Sequence, residues 1–261
     1  MDVLLELSVP ATILLWGRWY YSLRLDRPLG LSQRGRSAIA LTSVFCMFFL
    51  FAVVRGWSAK SVKSNFPATI LFVSFGASWL GLTQLIFSLL GVSARDDVIE
   101  RRNPAAAWVV SGQFIGTTFC IAGANVGNGP GPEAVMYCAA ISTIAFLLSW
   151  LLVNSIASIA DTVTIDRHVG AGIRTCGWLI ATGIILGEAV TGDWKSAPCS
   201  MRDFAAYGWP AAALALFVGL FERRMRGLAE DNRRNSAQRS MAFASLLVVG
   251  AVVYACKRGI R

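Results

Sequence analysis

NPAAAWVVSGQFIGTTFCIAGANVGNGPGP, residues 103–132, runs its whole length without an Asp, Glu, Lys or Arg. About 20 apolar residues are enough to cross the hydrocarbon layer of a bilayer as a helix. The stretch closes on Asn125-Val-Gly-Asn-Gly-Pro-Gly-Pro132, a cluster of turn formers that ends a helix. Residues 64–94 and 134–160, on either side of it, are equally free of charge. Inside lipid every backbone polar group must be paired within its own segment, so such stretches are helices. A soluble protein would need polar helices to cover them. This chain is 55% hydrophobic and 15% charged with a mean hydropathy of +0.57, whereas soluble domains carry about 25% charge.

Working outward, the same pattern predicts eight spans: 3–17, 37–54, 66–92, 104–124, 134–158, 169–187, 204–221 and 240–256. The first is the shortest and contains Glu6. It lacks the basic start and small-x-small cleavage site of a signal peptide, so it is expected to stay attached. The fold expected is all-α, a polytopic membrane protein of eight transmembrane helices. The net charge of +9 does not argue for nucleic acid, because the basic residues gather in short loops between apolar spans. Loops after odd-numbered spans hold 15 Lys and Arg and the opposite side holds 8, which places both termini outside. Trp16, Trp19, Tyr20 and Tyr21 suit an interfacial belt at the inner end of the first span.

The even-numbered spans open alike, on a polar or basic residue followed by small ones. They begin Arg36-Ser-Ala-Ile-Ala40, Asn103-Pro-Ala-Ala-Ala107, His168-Val-Gly-Ala-Gly172 and Arg239-Ser-Met-Ala-Phe-Ala244, at intervals of 67, 65 and 71. A period of this size holding two spans describes a helical hairpin repeated four times, over 1–65, 66–132, 133–193 and 194–261. Each unit crosses an even number of times, so successive copies point the same way.

The segments Glu100-Arg-Arg-Asn-Pro-Ala-Ala-Ala107 and Ile165-Asp-Arg-His-Val-Gly-Ala-Gly172 carry a resemblance as well. Residues 66–193 resemble a bacterial membrane family known as domain of unknown function 350, which looks like two copies of a two-helix unit. The second copy has His168-Val169 where the first has Asn103-Pro104. The resemblance implies this architecture and a bacterial inner membrane. The family has no established chemistry, so no catalytic residue is carried over.

Gly112 and Gly116 on the fourth span, and Gly183 and Gly187 on the sixth, each form a G-x-x-x-G that lets a neighbouring backbone approach closely. They point to a packed central helix pair or to the face of a homo-oligomer. Arg174, six residues after His168, either snorkels to the headgroups or lines a polar cavity and pairs with a carboxylate or an anion. Gln84 and Gln113 fall inside spans and are expected to hydrogen-bond between helices. With Arg174 they form the candidate polar path of a channel or transporter.

Arg223, Arg224, Arg226, Arg233 and Arg234 are a candidate docking site for a cytoplasmic protein or anionic lipid. Glu222 to Arg226 and Glu230 to Arg234 read as i,i+4 pairs on a surface helix. The six cysteines and single histidine have no metal-ligand spacing, and no catalytic motif occurs. No cofactor, metal or enzyme activity is expected. The leading expectation is a membrane scaffold or partner-binding subunit, the alternative a channel or transporter for a small solute.

Overall fold

The computed structural model describes the backbone of residues 2–25, 34–129, 131–226 and 233–259, and the side chains of 7–21, 35–129, 131–226 and 237–258. Among the described residues all regular structure is helical. The helices are α1 (Asp2–Leu25), α2 (Arg34–Trp57), α3 (Lys60–Lys63), α4 (Phe66–Leu89), α5 (Pro104–Ala124), α6 (Pro132–Ala157), α7 (Ile159–Thr164), α8 (Val169–Ala189), α9 (Ala197–Arg226) and α10 (Arg233–Gly259). A π-helical turn, Ala94–Glu100, lies between α4 and α5.

Among the described residues, seven helices are long and apolar enough to cross a membrane: α2, α4, α5, α6, α8, α9 and α10. The span expected over 3–17 falls in α1, which is helical, and its first residues, 3–6, lie outside those whose side chains are described. Large apolar side chains such as Leu41, Phe48, Leu220, Leu246 and Val249 lie exposed. Apolar surface on that scale drives association in water and is at rest in lipid.

Two rows of helices make up the molecule. In one, α2, α5, α8 and α10 lie side by side in that order, and α5 against α8 is the most extensive contact in the protein. In the other, α1 packs on α4 and α6 on α9. Between those pairs Trp79 Nε1 on α4 donates to Thr143 Oγ1 on α6 at 3.1 Å, and the ring of Phe87 meets Trp150 edge-on. Centrality shows in burial: 89% of the apolar window of α8 is enclosed, against 11% for α10. Row neighbours are bonded at similar sequence separations. Examples are Thr42 with Ser111 (69 apart), Thr12 with Ser78 (66), Arg174 with Ser240 (66) and Trp79 with Thr143 (64).

The starts of α5 and α8 show how the sequence sets this geometry. Asn103 Oδ1 accepts from the backbone N–H of Ala105 (3.0 Å) and Ala106 (3.3 Å), and Pro104 follows where no N–H is needed. His168 caps α8 in the same way, its Nδ1 accepting from Ala171 N–H at 2.9 Å. Arg102 and Arg167, each just before a cap, both adopt a left-handed φ of 53°. Behind each, a backbone N–H reaches back six residues, from Asn103 to the Asp97 carbonyl and from His168 to the Thr162 carbonyl. Asn103 Nδ2 also donates to the Val163 carbonyl at 2.7 Å, tying the start of α5 to the chain leading into α8.

Candidate functional site

The centre of the molecule is a seam between α5 and α8 in which backbone meets backbone. A Cβ placed on Gly112 would fall 2.8 Å from the Cα of Cys176, and one on Gly116 would fall 2.7 Å from the Leu179 carbonyl oxygen. From the other side, a Cβ on Gly183 would strike the backbone of Gly116 and one on Gly187 the carbonyl of Phe119. Gly172 extends the seam to the start of the helices, where its Cβ would lie 2.6 Å from the Ala105 oxygen. Early residues meet early and late meet late, so the two helices run parallel. Contacts this close are excluded for any residue larger than glycine, and they bring whole rows of atoms into dispersion range. The two G-x-x-x-G faces therefore meet each other.

Arg174 lies on another face of α8, in its second turn, and it is enclosed. Its Nε donates to Glu222 Oε1 at 2.5 Å, its Nη2 to Glu222 Oε2 at 2.6 Å, and its Nη1 to Ser240 Oγ at 2.8 Å. Arg174 is 5% exposed and Glu222 2%. The planar guanidinium matches the carboxylate with two parallel hydrogen bonds, the strongest form of this pair. Of the two settings weighed for Arg174, snorkelling and pairing, the pair is the one formed. Glu222 corrects the sequence expectation. That expectation pairs it with Arg226 on a surface helix, yet it turns inward from the end of α9 and leaves Arg226 exposed. A carboxylate beside a buried guanidinium gains far more than one beside an exposed arginine.

Gln84 and Gln113 lie in settings separate from Arg174. Gln113 is fully buried on α5, and neither its amide oxygen nor its nitrogen has a hydrogen-bond partner among the described residues. Thr117 one turn on, and Thr175 and Thr182 on α8, are likewise buried with unpartnered hydroxyls. Gln84 Nε2 on α4 is unpartnered too. Among the described residues, the interhelical hydrogen bonds expected of the two glutamines are not formed. Gln84 lines a cavity of about 530 Å³ between α1, α4 and the π turn, at the end where α5 and α8 begin. At the opposite end a smaller recess of about 110 Å³ is lined by Asn125, Gly127, Thr191, Asp193 and Asp203 among others.

Arg223, Arg224 and Arg226 are exposed on the last turn of α9. Arg233 and Arg234 open α10, and their side chains lie outside the described residues, as does the expected Glu230–Arg234 pair. Arg258, a basic residue of the C-terminal segment, has a local use. Its Nη1 donates to the Glu188 carbonyl at the end of α8 (2.7 Å), and its guanidinium lies 3.6 Å over the Tyr207 ring. Among the described residues no group of three metal-ligating side chains comes together.

Sequence reasoning missed two features. Glu222 follows directly on an apolar run, which was the available signal for a carboxylate drawn into the membrane region. The 530 Å³ cavity draws on four separate elements and has no linear signature.

Residues 61–190 match the family model described as Domain of Unknown Function (DUF350). The match takes in α4 to α8 and stops short of α9 and α10, so Arg174 lies inside it while Glu222 and Ser240 lie outside. No curated protein and no solved structure matches the chain.

Proposed function

With its middle portion, residues 61–190, a member of the DUF350 family, we propose that this chain is a non-enzymatic multi-pass protein of a bacterial inner membrane, acting as a packed scaffold that presents a basic end to a partner. The observation carrying this reading is the α5–α8 seam. Where a solute path through the centre would have to run, glycine backbones are in contact with backbone of the facing helix. In this reading α1 is the eighth span, and the chain is four tandem hairpins. The recurring separations of 60 to 70 residues between bonded row neighbours support that repeat. The excess of Lys and Arg on the loops after odd-numbered spans supports placing both termini outside. The exposed Arg223, Arg224 and Arg226, with Arg233 and Arg234 next in the chain, would then face the cytoplasm and suit an acidic protein surface or anionic headgroups.

A second reading, a conducting path for a small solute, is favoured by one observation. Gln113, Thr117, Thr175 and Thr182 are buried without partners among the described residues, as polar side chains facing a hydrated path would be. One experiment separates the two. Full-length protein is reconstituted into vesicles and the permeability to monovalent ions and small neutral solutes is followed by entrapped indicators. The scaffold predicts the permeability of protein-free vesicles. Flux that appears with the protein and falls in Gln113→Leu would overturn it.

A further inference from the structure

The cavity between α1, α4 and the π turn is built in layers. Its floor and walls are Leu15, Trp16, Trp19, Leu85, Ile99 and Phe114. These rings are held in place rather than loosely stacked. Trp16 Nε1 donates to the Ala77 carbonyl at 3.0 Å, and Trp19 meets Phe114 edge-on at 5.0 Å between centroids. Gln84 interrupts the wall, with Ser88 and Ser93 also in the lining. Gln84 is 7% exposed, and its Nε2 is a buried donor without an acceptor among the described residues. At the rim stand Arg18, Arg95, Asp96 and Glu100. Arg95 and Glu100 satisfy each other at 3.2 Å. Arg18 has no carboxylate within ion-pair distance among the described residues, and neither Arg18 nor Asp96 neutralises the other.

An apolar aromatic wall, one unmet amide donor and an unpaired cation at the mouth describe an amphipathic ligand with a hydrogen-bond acceptor between its apolar and anionic parts. A volume of about 530 Å³ lies in the usual range for small-molecule sites, roughly 300–1,000 Å³. Trp16, Trp19 and Tyr21, which line the cavity, are residue types that settle at the headgroup level of a bilayer, so the ligand is one the membrane itself supplies. Asp96 on the same rim disfavours a headgroup carrying more than one negative charge. We propose that this cavity binds one phospholipid molecule by its headgroup end. One acyl chain lies against Trp16, Leu85 and Phe114 while the other stays in the bilayer, an ester carbonyl accepts from Gln84 Nε2 once the enclosed amide turns toward the cavity, and the singly charged phosphodiester sits at Arg18. The proposal goes beyond the scaffold reading and does not depend on it, since a bound lipid is compatible with a conducting or a sealed centre.

The test uses the full chain in detergent, stripped of lipid and titrated with dioleoyl phosphatidylglycerol while bound lipids are counted by native mass spectrometry. One lipid is expected to bind well ahead of any others. Leu85→Trp, which fills the cavity from a partly exposed position, is expected to weaken that first site by about tenfold. Ser88→Phe obstructs the same space from an exposed position and serves if the first variant unfolds. Gln84→Leu is expected to weaken binding about fivefold, the value of one hydrogen bond. Arg18→Gln is expected to weaken it about threefold and to remove the preference for the phospholipid over dioleoylglycerol, which has no phosphate. Several lipids of equal affinity, unaffected by Leu85→Trp and Ser88→Phe in chains that still melt cooperatively, would mean annular lipid only and overturn the proposal. Full displacement of the lipid by inorganic phosphate would mean a free-anion site and overturn it as well.

Discussion

The α5–α8 seam and the junction of α8 with α9 and α10 join helices in the same apolar surroundings by opposite means. At the seam nothing polar is exchanged, and glycines let two backbones touch along their length. At the junction Gly177 again admits a neighbour, its Cβ position 2.6 Å from the Cα of Ala244, but the tie beside it is the enclosed Arg174–Glu222–Ser240 cluster. The seam lies wholly within the DUF350 match, whereas the junction crosses its edge. Dispersion contacts between small residues are tolerant, because any flat helix face satisfies them to some degree. A bidentate ion pair accepts one partner in one position. Packing thus holds the matched segment together, while charge specifies how α9 and α10 attach to it.

The largest effect should therefore come from the junction. Glu222→Ala leaves a guanidinium buried and unpaired, and breaking one side of such a pair costs about 3–5 kcal/mol. Thermal unfolding in detergent should show a large drop in Tm. Arg174→Met combined with Glu222→Leu should recover most of it, because two apolar groups need no partners. If Glu222→Ala costs no more than an exposed pair, about 1 kcal/mol or less, the contrast between the two regions is broken.

The seam should respond next, and only to bulk. Gly183→Leu would drive a side chain into the backbone of Gly116, and overpacking of this kind costs about 1–3 kcal/mol. Gly56→Ala in α2, where a Cβ would meet nothing within 4 Å, is the matched control and should leave Tm unchanged or slightly raised. Equal losses in both would mean that the cost of Gly183→Leu does not come from close approach of the two backbones.

Gln113→Leu sharpens the comparison by its sign. Removing a buried amide that has no partner should be neutral or stabilising by up to about 1 kcal/mol in the same melt. A loss above that would mean that an ordered water or a solute satisfies the amide, which is the signature of the conducting reading.

These contrasts divide what the sequence made legible from what it did not. The middle spans, the Asn103 and His168 caps and the G-x-x-x-G faces rest on local spacing. Residues one turn apart on a helix share a face whatever packs on it, so Gly112 with Gly116 and Gly183 with Gly187 could be paired in advance. Glu222 failed for the complementary reason. Arg226 lay one turn away and offered a local partner, while the true one is 48 residues back on another helix. What was missed at Glu222 is a long-range choice between two electrostatically reasonable neighbours, decided by which one is buried.

The smallest expected effect tests that principle on a single helix. An arginine is engaged at each end of α8: Arg174 within its second turn and Arg258, contributed by α10, at its last carbonyls. Arg258 is half-buried, completes a helix C-terminus whose carbonyls carry partial negative charge, and stacks on Tyr207. Water can replace those interactions, so Arg258→Met should cost only about 1 kcal/mol in thermal unfolding. Arg258→Lys should recover part of that by keeping the charge near the carbonyls. The same residue type should thus differ severalfold in cost between the two ends of one helix, with burial and not charge as the variable that changes. If Arg258→Met proves as damaging as Glu222→Ala, attachment of α10 at the far end of α8 is as specific as at the near end, and α9 and α10 are fixed by two charged ties rather than one.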